Sequence, residues 1–296
     1  MEIQHWEAKV IFQEKLILGE GPHWYSALNK LLYVDIESKK LCLSDPVSGE
    51  KQEYQAGSKI GSAIPVNQHQ VIVALQGSLA IFDLHYKTVN HLVDLEKYKP
   101  ENRSNDGKCD AMGRLWFGTM QEEARKNEGA LYCYDGRLTK MIDRISVSNG
   151  ICWSSDHGVM YYIDSFDKHI KAFDFDINVP ALSNSRIVVE IKEEGCLPDG
   201  MCIDEKGMLW VAIWGGGCVN RYNPESGNLI GKVSVNAPHV TSCAFGGEQL
   251  TELFITTATK ELSSETLINY PESGAVFSVE TGIKGAKTNT FNSRYI

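Results

Sequence analysis

Several things are missing from these 296 residues, and each absence removes a class of protein. No run of about 18 apolar residues occurs, so no membrane-spanning helix is expected. The opening stretch, MEIQHWEAKVIFQEK, has no basic region followed by a long apolar one. No secretory leader is read there, and the expected compartment is the cytoplasm. No basic cluster offsets the formal net charge of −9, which argues against a nucleic-acid partner. The eight cysteines form no C-x-x-C pair, so neither a zinc ribbon nor a dithiol motif is expected. Several lie in apolar runs such as GICW and GMCID and read as reduced core residues. Helix-like periodicity, linkers and low-complexity stretches are scarce or absent, which favours one domain over 1–296.

What is present is a repeat. Glycine-rich turns recur as GEGPHW (19–24), GSAIPV (61–66), SNDGKCDAMGRLWFGTM (104–120), SNGICWSSDHGVMYYIDS (148–165), PDGMCIDEKGMLWVAIW (198–214) and TSCAFGGEQLTELFITTA (241–258). Each is followed by a β-branched and aromatic run: LLYVDI, VIVAL, LWFGT, MYYID, LWVAI or LFITT. Aligned on Glu20, Ser62, Asn105, Asn149, Asp199 and Ser242, the copies are separated by 42, 43, 44, 50 and 43 residues. That period predicts an all-β fold, a six-bladed β-propeller with one four-stranded sheet per repeat. The sixth repeat supplies only three strands. EAKVIF (7–12) is therefore expected to add its outer strand and close the ring, leaving no long open edge. An open solenoid would need distinct capping repeats, and none is visible.

The innermost strand of each propeller blade lines the central channel, so the six aligned residues are expected to form a ring. It would hold two carboxylates, two amides and two hydroxyls, all hard oxygen groups. Such a ring suits a divalent cation, most simply Ca²⁺. Two carboxylates that close together would repel unless a cation or proton intervenes. The loops after the second strands share the ring's face. Two of them, TMQEEARKNEG (119–129) and TATKELSSETLINYPESG (257–274), are long enough to wall or cover it. Glu122, Glu123 and Arg125 in the first can face either the pocket or solvent.

These motifs together resemble the regucalcin/gluconolactonase, or senescence-marker-protein, family, which includes luciferin-regenerating enzyme. The shared segments are GEGPHW, RSNDGKCDAMGRLWFGTM (103–120), SNGICWSSD (148–156), MYYIDS (160–165), PDGMCIDEKGMLWVA (198–212) and VTSCAFGG (240–247). The resemblance implies one divalent metal on the propeller axis, held by Glu20, Asn149 and Asp199. It implies substrate contacts from Arg103, Asn105 and Glu123. Ca²⁺ is the first choice, with Zn²⁺, Mn²⁺, Mg²⁺ and Fe²⁺ as alternatives. The implied activity is hydrolysis of a small-molecule sugar lactone to an aldonic acid, with Asp199 as general base. Ser104 departs from the family, where a bulkier apolar residue is common, and bears on substrate fit. His23 in the GPHW strand reads as a core residue. Two rival readings are kept. One is a Ca²⁺-binding regulatory protein without turnover. The other is a scaffold that binds partners through rim aromatics such as Tyr25 and Trp214.

Overall fold

The structure, a computed structural model, describes residues 3–296. Six sheets form an all-β six-bladed propeller, and in the first five blades four antiparallel strands run outward in chain order. The inner strands are Gly19–Tyr25, Ile60–Pro65, Asn102–Cys109, Ser148–Trp153, Leu197–Ile203 and Val240–Gly246. The runs that announced the repeat are the second strands, from Lys30–Asp35 in the first blade to Glu252–Thr257 in the sixth. They are almost wholly buried, because each is covered by a neighbouring blade on both faces.

The ring closes at the N-terminus, with a division of labour that the sequence did not disclose. Lys9–Phe12 pairs antiparallel with Val276–Glu280 and completes the sixth blade. Gln4–Glu7 instead pairs parallel with Leu229–Ser234 and becomes a fifth strand of blade five. The expected strand over 7–12 is thus shortened to 9–12. Glu7 belongs to the preceding strand, and buried Ala8 turns the chain between two blades. One short segment therefore ties blade five to blade six.

Inner strands of neighbouring blades approach so closely that only glycine fits at some contacts. A Cβ on Gly200 would lie 2.1 Å from Ser242 Oγ, and one on Gly61 would lie 2.5 Å from the Asn105 carbonyl oxygen. Between blades the packing is apolar, as in the cluster joining blades one and two around Leu32, Val34, Val73 and Phe82. All eight cysteines are free; seven are buried and Cys196 is half-buried, as expected of small core hydrophobes.

Each of the six inner strands carries a β-bulge near its start. The register slips by one residue between Glu20 and His23, Ile60 and Ser62, Ser104 and Gly107, Asn149 and Ile151, Pro198 and Met201, and Val240 and Ser242. A bulge bends its strand and re-aims the side chains beside it. Here six bulges meet at one end of the channel, and the candidate site lies there.

Candidate active site

A cavity of about 280 Å³ opens at that end, on the face carrying the loops after the second strands. Glu20, Asn105, Asn149 and Asp199 line its floor, beside Arg103. All five are buried. Leu18, Val147, Leu197 and Trp214 form an apolar collar above them. Trp214 stacks on His239 with ring centroids 3.8 Å apart. Both long loops contribute wall, through Glu122–Ala124 and through Lys260 and Glu261.

Ser62 and Ser242 are not part of this ring. Both lie on the far side of their bulges from Glu20, Asn105, Asn149 and Asp199, and neither lines the cavity. Their hydroxyls instead sit against the backbones of Gly107 and Gly200 in adjacent blades. The ring of six oxygen groups contracts to two carboxylates and two amides.

The strand starts are pinned by a device that repeats. Asp35, closing the LLYVD strand, accepts hydrogen bonds from the N–H groups of Ile17 and Leu18, just before Glu20. Asp164, closing MYYID, accepts from Ser146 and Val147, just before Asn149. The matching YVD and YID triplets were a signal in the sequence that hydrophobic patterning alone passes over.

Hydrogen bonds fix both amides. Ser165 donates its hydroxyl proton to the Pro198 carbonyl (2.7 Å), so it can only accept from Asn149 Nδ2 (2.8 Å). Asn149 therefore turns its oxygen toward Asn105, whose Nδ2 donates to it at 3.0 Å. Asn105 Nδ2 also donates to the Ser148 carbonyl, and its Oδ1 accepts from Arg103 Nη1 at 2.6 Å. Both ends of the Asn105 amide are thus engaged within the protein, and it orients Asn149 and Arg103.

Two polar atoms on the floor are buried without a partner: Asp199 Oδ1 and Arg103 Nε. A third, Asp106 Oδ2, lies one residue beyond Asn105. Burial and then the neighbouring Asp106 push the Glu20 carboxyl up to about 8. Burial, then Glu20 and Asp106, push Asp199 well above the usual carboxylate range. Burial also raises Asp106 and lowers Arg103. Asp106 was inside the quoted SNDGKC motif, yet nothing in the spacing separated it from an ordinary turn aspartate.

Glu123 borders the cavity but extends outward, 73% exposed, and pairs with Arg125 at 3.1 Å. Glu122 is the residue that turns inward, 3.7 Å from Arg103 Nε and 2.7 Å from Lys59. Lys59 also pairs with Glu37, and Glu37 with Lys260. An alternating chain of charge thus runs around one side of the mouth across blades six, one, two and three. Ser104 points away from the cavity, donating to the Ala74 carbonyl at 2.6 Å, so it bears on the joint between blades rather than on substrate fit. Tyr25 is a core residue and offers nothing to the rim.

Among the described residues no group of three or more His, Cys, Asp or Glu side chains is placed to hold a metal. The donors on the floor are two carboxylates and an amide oxygen instead. An unpartnered carboxylate oxygen and two carboxyls that resist ionisation together fit a hard divalent cation.

A closed β-propeller with acids and amides converging at one channel mouth defines the class of protein. Residues 18–259 match the family described as SMP-30/gluconolactonase/LRE-like, and the chain belongs to that family. It is 37% identical over 284 residues to regucalcin from Bos taurus, covering 93% of this chain and 95% of that one. Among solved structures, a regucalcin from Agrobacterium tumefaciens, described as a calcium-binding protein, superposes with a TM-score of 0.94. It is 25% identical and covers 99% of both chains. A luciferin-regenerating enzyme gives 0.90 at 29% identity, covering 96% of this chain and 99% of that one. No helix of the described residues is long and apolar enough to cross a membrane.

Proposed function

We propose that the upper channel mouth is a divalent-metal site that hydrolyses a small sugar lactone. The observation that carries this reading is the meeting of Glu20, Asn149 and Asp199 with a buried Arg103 whose Nε makes no hydrogen bond, Glu122 lying 3.7 Å away. Glu20, Asn149 and Asp199 would hold the ion, Ca²⁺ before Zn²⁺, Mn²⁺, Mg²⁺ or Fe²⁺, and a bound ion would supply Lewis acidity toward an ester carbonyl. Asp199 is the general base, taking a proton from the attacking water. Arg103, with a free N–H, orients the sugar hydroxyls, while Asn105 holds Arg103 and Asn149 in place. Glu122, with Glu123 at the rim, extends that contact surface. The apolar collar excludes bulk water.

A second reading has its own support. The bovine relative is named regucalcin, and the Agrobacterium structure is described as a calcium-binding protein. Those names favour a Ca²⁺-binding regulatory protein without turnover over an enzyme. What a pure ion site leaves unexplained is a buried guanidinium beside the carboxylates. Arg103→Ala separates the two. Lactone hydrolysis should fall about 10²-fold with Ca²⁺ affinity little changed. A parallel loss of metal affinity, with no lactone turned over by the wild type, would leave the calcium-binding reading standing.

The carboxyls set a pH dependence. Glu20 holds its proton more tightly in the folded chain, up to about 8 against an ordinary 4.5. Between those values the folded state binds more protons than the unfolded one, so the stability of chelator-treated protein should fall as pH rises through the window. Ca²⁺ must displace that proton, so its affinity should rise about tenfold per pH unit for each proton released. Melting curves in chelator and calcium titrations from pH 6 to 8.5 check both halves. A pH-independent affinity would remove Glu20 from the ligand set.

A further inference from the structure

The other end of the channel is closed by the C-terminal segment. It crosses beneath the blades, with Ala286 N–H on the Ile203 carbonyl at 3.0 Å, Phe291 N–H on Pro65 at 2.8 Å and Asn292 N–H on Gly113 at 3.0 Å. Between this strap and the inner strands lies a second cavity of about 110 Å³. Its lining contains Lys108, Lys287, two histidines, Ser155 and Thr288, and no Asp or Glu. In a chain with formal charge −9 that is a local inversion of sign. We propose that this lower cavity binds a small oxyanion, phosphate or a phosphoryl group carried on a small alcohol.

The donors are available. Lys108 projects from the inner strand of blade three and is half-buried. One of its protons goes to the Met201 carbonyl, which leaves two for a ligand. Lys287 has no acidic partner among the described residues, unlike Lys284 on the same strap, which pairs with Glu205 at 2.6 Å. The Nε1–H of Trp153, a lining residue, is buried without an acceptor. Asp156, between the lining residues Ser155 and His157, is taken up by its own turn, accepting from Ser154 Oγ at 2.6 Å and Gly158 N–H at 3.1 Å. Burial and then Lys108 hold His23 neutral, its pKa near about 3, so it presents no charge of its own and leaves the two lysines to set the sign. A volume of 110 Å³ admits a tetrahedral oxyanion and excludes a nucleotide.

The test is calorimetric titration of the intact protein with inorganic phosphate at fixed ionic strength, with glycerol 1-phosphate as a second arm. Saturable binding of at least one is expected. Lys287→Ala should raise the dissociation constant about 3–10-fold, as for a charged hydrogen bond at a partly exposed site. Lys284→Ala, three residues away along the strap, should leave it unchanged. Lys108→Gln should weaken it further. Should that buried change unfold the protein, the contrast between Lys287 and Lys284 still decides. The two phosphates should compete. No saturable binding, equal binding in wild type and Lys287→Ala, or additive binding of the two ligands would overturn the proposal.

Discussion

Replacing Asp199 with alanine is expected to abolish lactone hydrolysis and to weaken divalent-metal binding. Loss of a positioned general base alone costs about 10²–10⁴-fold in rate. Here the same carboxylate also belongs to the proposed ligand set, so alanine removes both contributions. Asp199→Asn separates them. It keeps the shape and one oxygen acceptor but cannot take a proton, so turnover should be lost while part of the metal affinity survives. The assay is hydrolysis of an aldonolactone panel after chelation, with Ca²⁺, Mg²⁺, Mn²⁺, Zn²⁺ and Fe²⁺ restored one at a time. Stability supplies an independent readout. Asp199 is buried with Glu20 and Asp106, and burial pushes all three carboxyls upward, the neighbouring carboxylates adding to it at Glu20 and Asp199. Removing one should make the metal-free protein more stable at pH 8 than wild type, the trade expected of a site built for function. Full metal-dependent activity in Asp199→Ala would place the chemistry elsewhere.

The sequence revealed the blades because β-branched runs and turn glycines recur at a period that a propeller requires. The shared register of Glu20, Asn105, Asn149 and Asp199 among the repeats was legible for the same reason, and these four line one cavity. The sequence misplaced Ser62 and Ser242 for a physical reason. A bulge inserts one residue without any compositional mark, and a one-residue slip carries a side chain to the other face. Glu122 and Glu123 were indistinguishable because a loop has no periodicity from which to read direction. The parallel strand Gln4–Glu7 and the lower strap follow no repeat at all, so a reading built on self-similarity could not find them. Asp106 was hidden by its neighbours: in a motif full of turn residues, only the fold shows that its carboxylate is buried without a second partner.

Asp204→Ala should be the most damaging substitution outside the site. Asp204 is 1% exposed, and its two oxygens accept five hydrogen bonds. Oδ1 takes the N–H groups of Lys206 and Met208, closing the turn after the inner strand of blade five. Oδ2 takes Trp210 Nε1 at 3.0 Å and both Nε and Nη2 of Arg221, at 2.9 and 2.7 Å. Arg221 lies 5.4 Å from the Trp210 ring and reaches Gln4 in the added N-terminal strand. The carboxylate therefore joins the turn, the third strand and, through Arg221, the segment that ties the ring shut. Its removal leaves a buried guanidinium unpaired, which costs about 3–5 kcal/mol. At about 2 °C per kcal/mol for a domain of this size, the melting temperature should fall by about 6–10 °C. The exposed pair Asp174–Arg186, of similar length at 2.7 Å, is the control, and its loss should not move the melt. A double change, Asp204→Leu with Arg221→Met, should recover much of the deficit, because neither charge is then buried alone. Asp110 repeats the arrangement in blade three, accepting from Arg114 Nε at 2.6 Å and Trp116 Nε1 at 2.9 Å. A melt unchanged by Asp204→Ala would show that these buried ion pairs order the turns without holding the blades together.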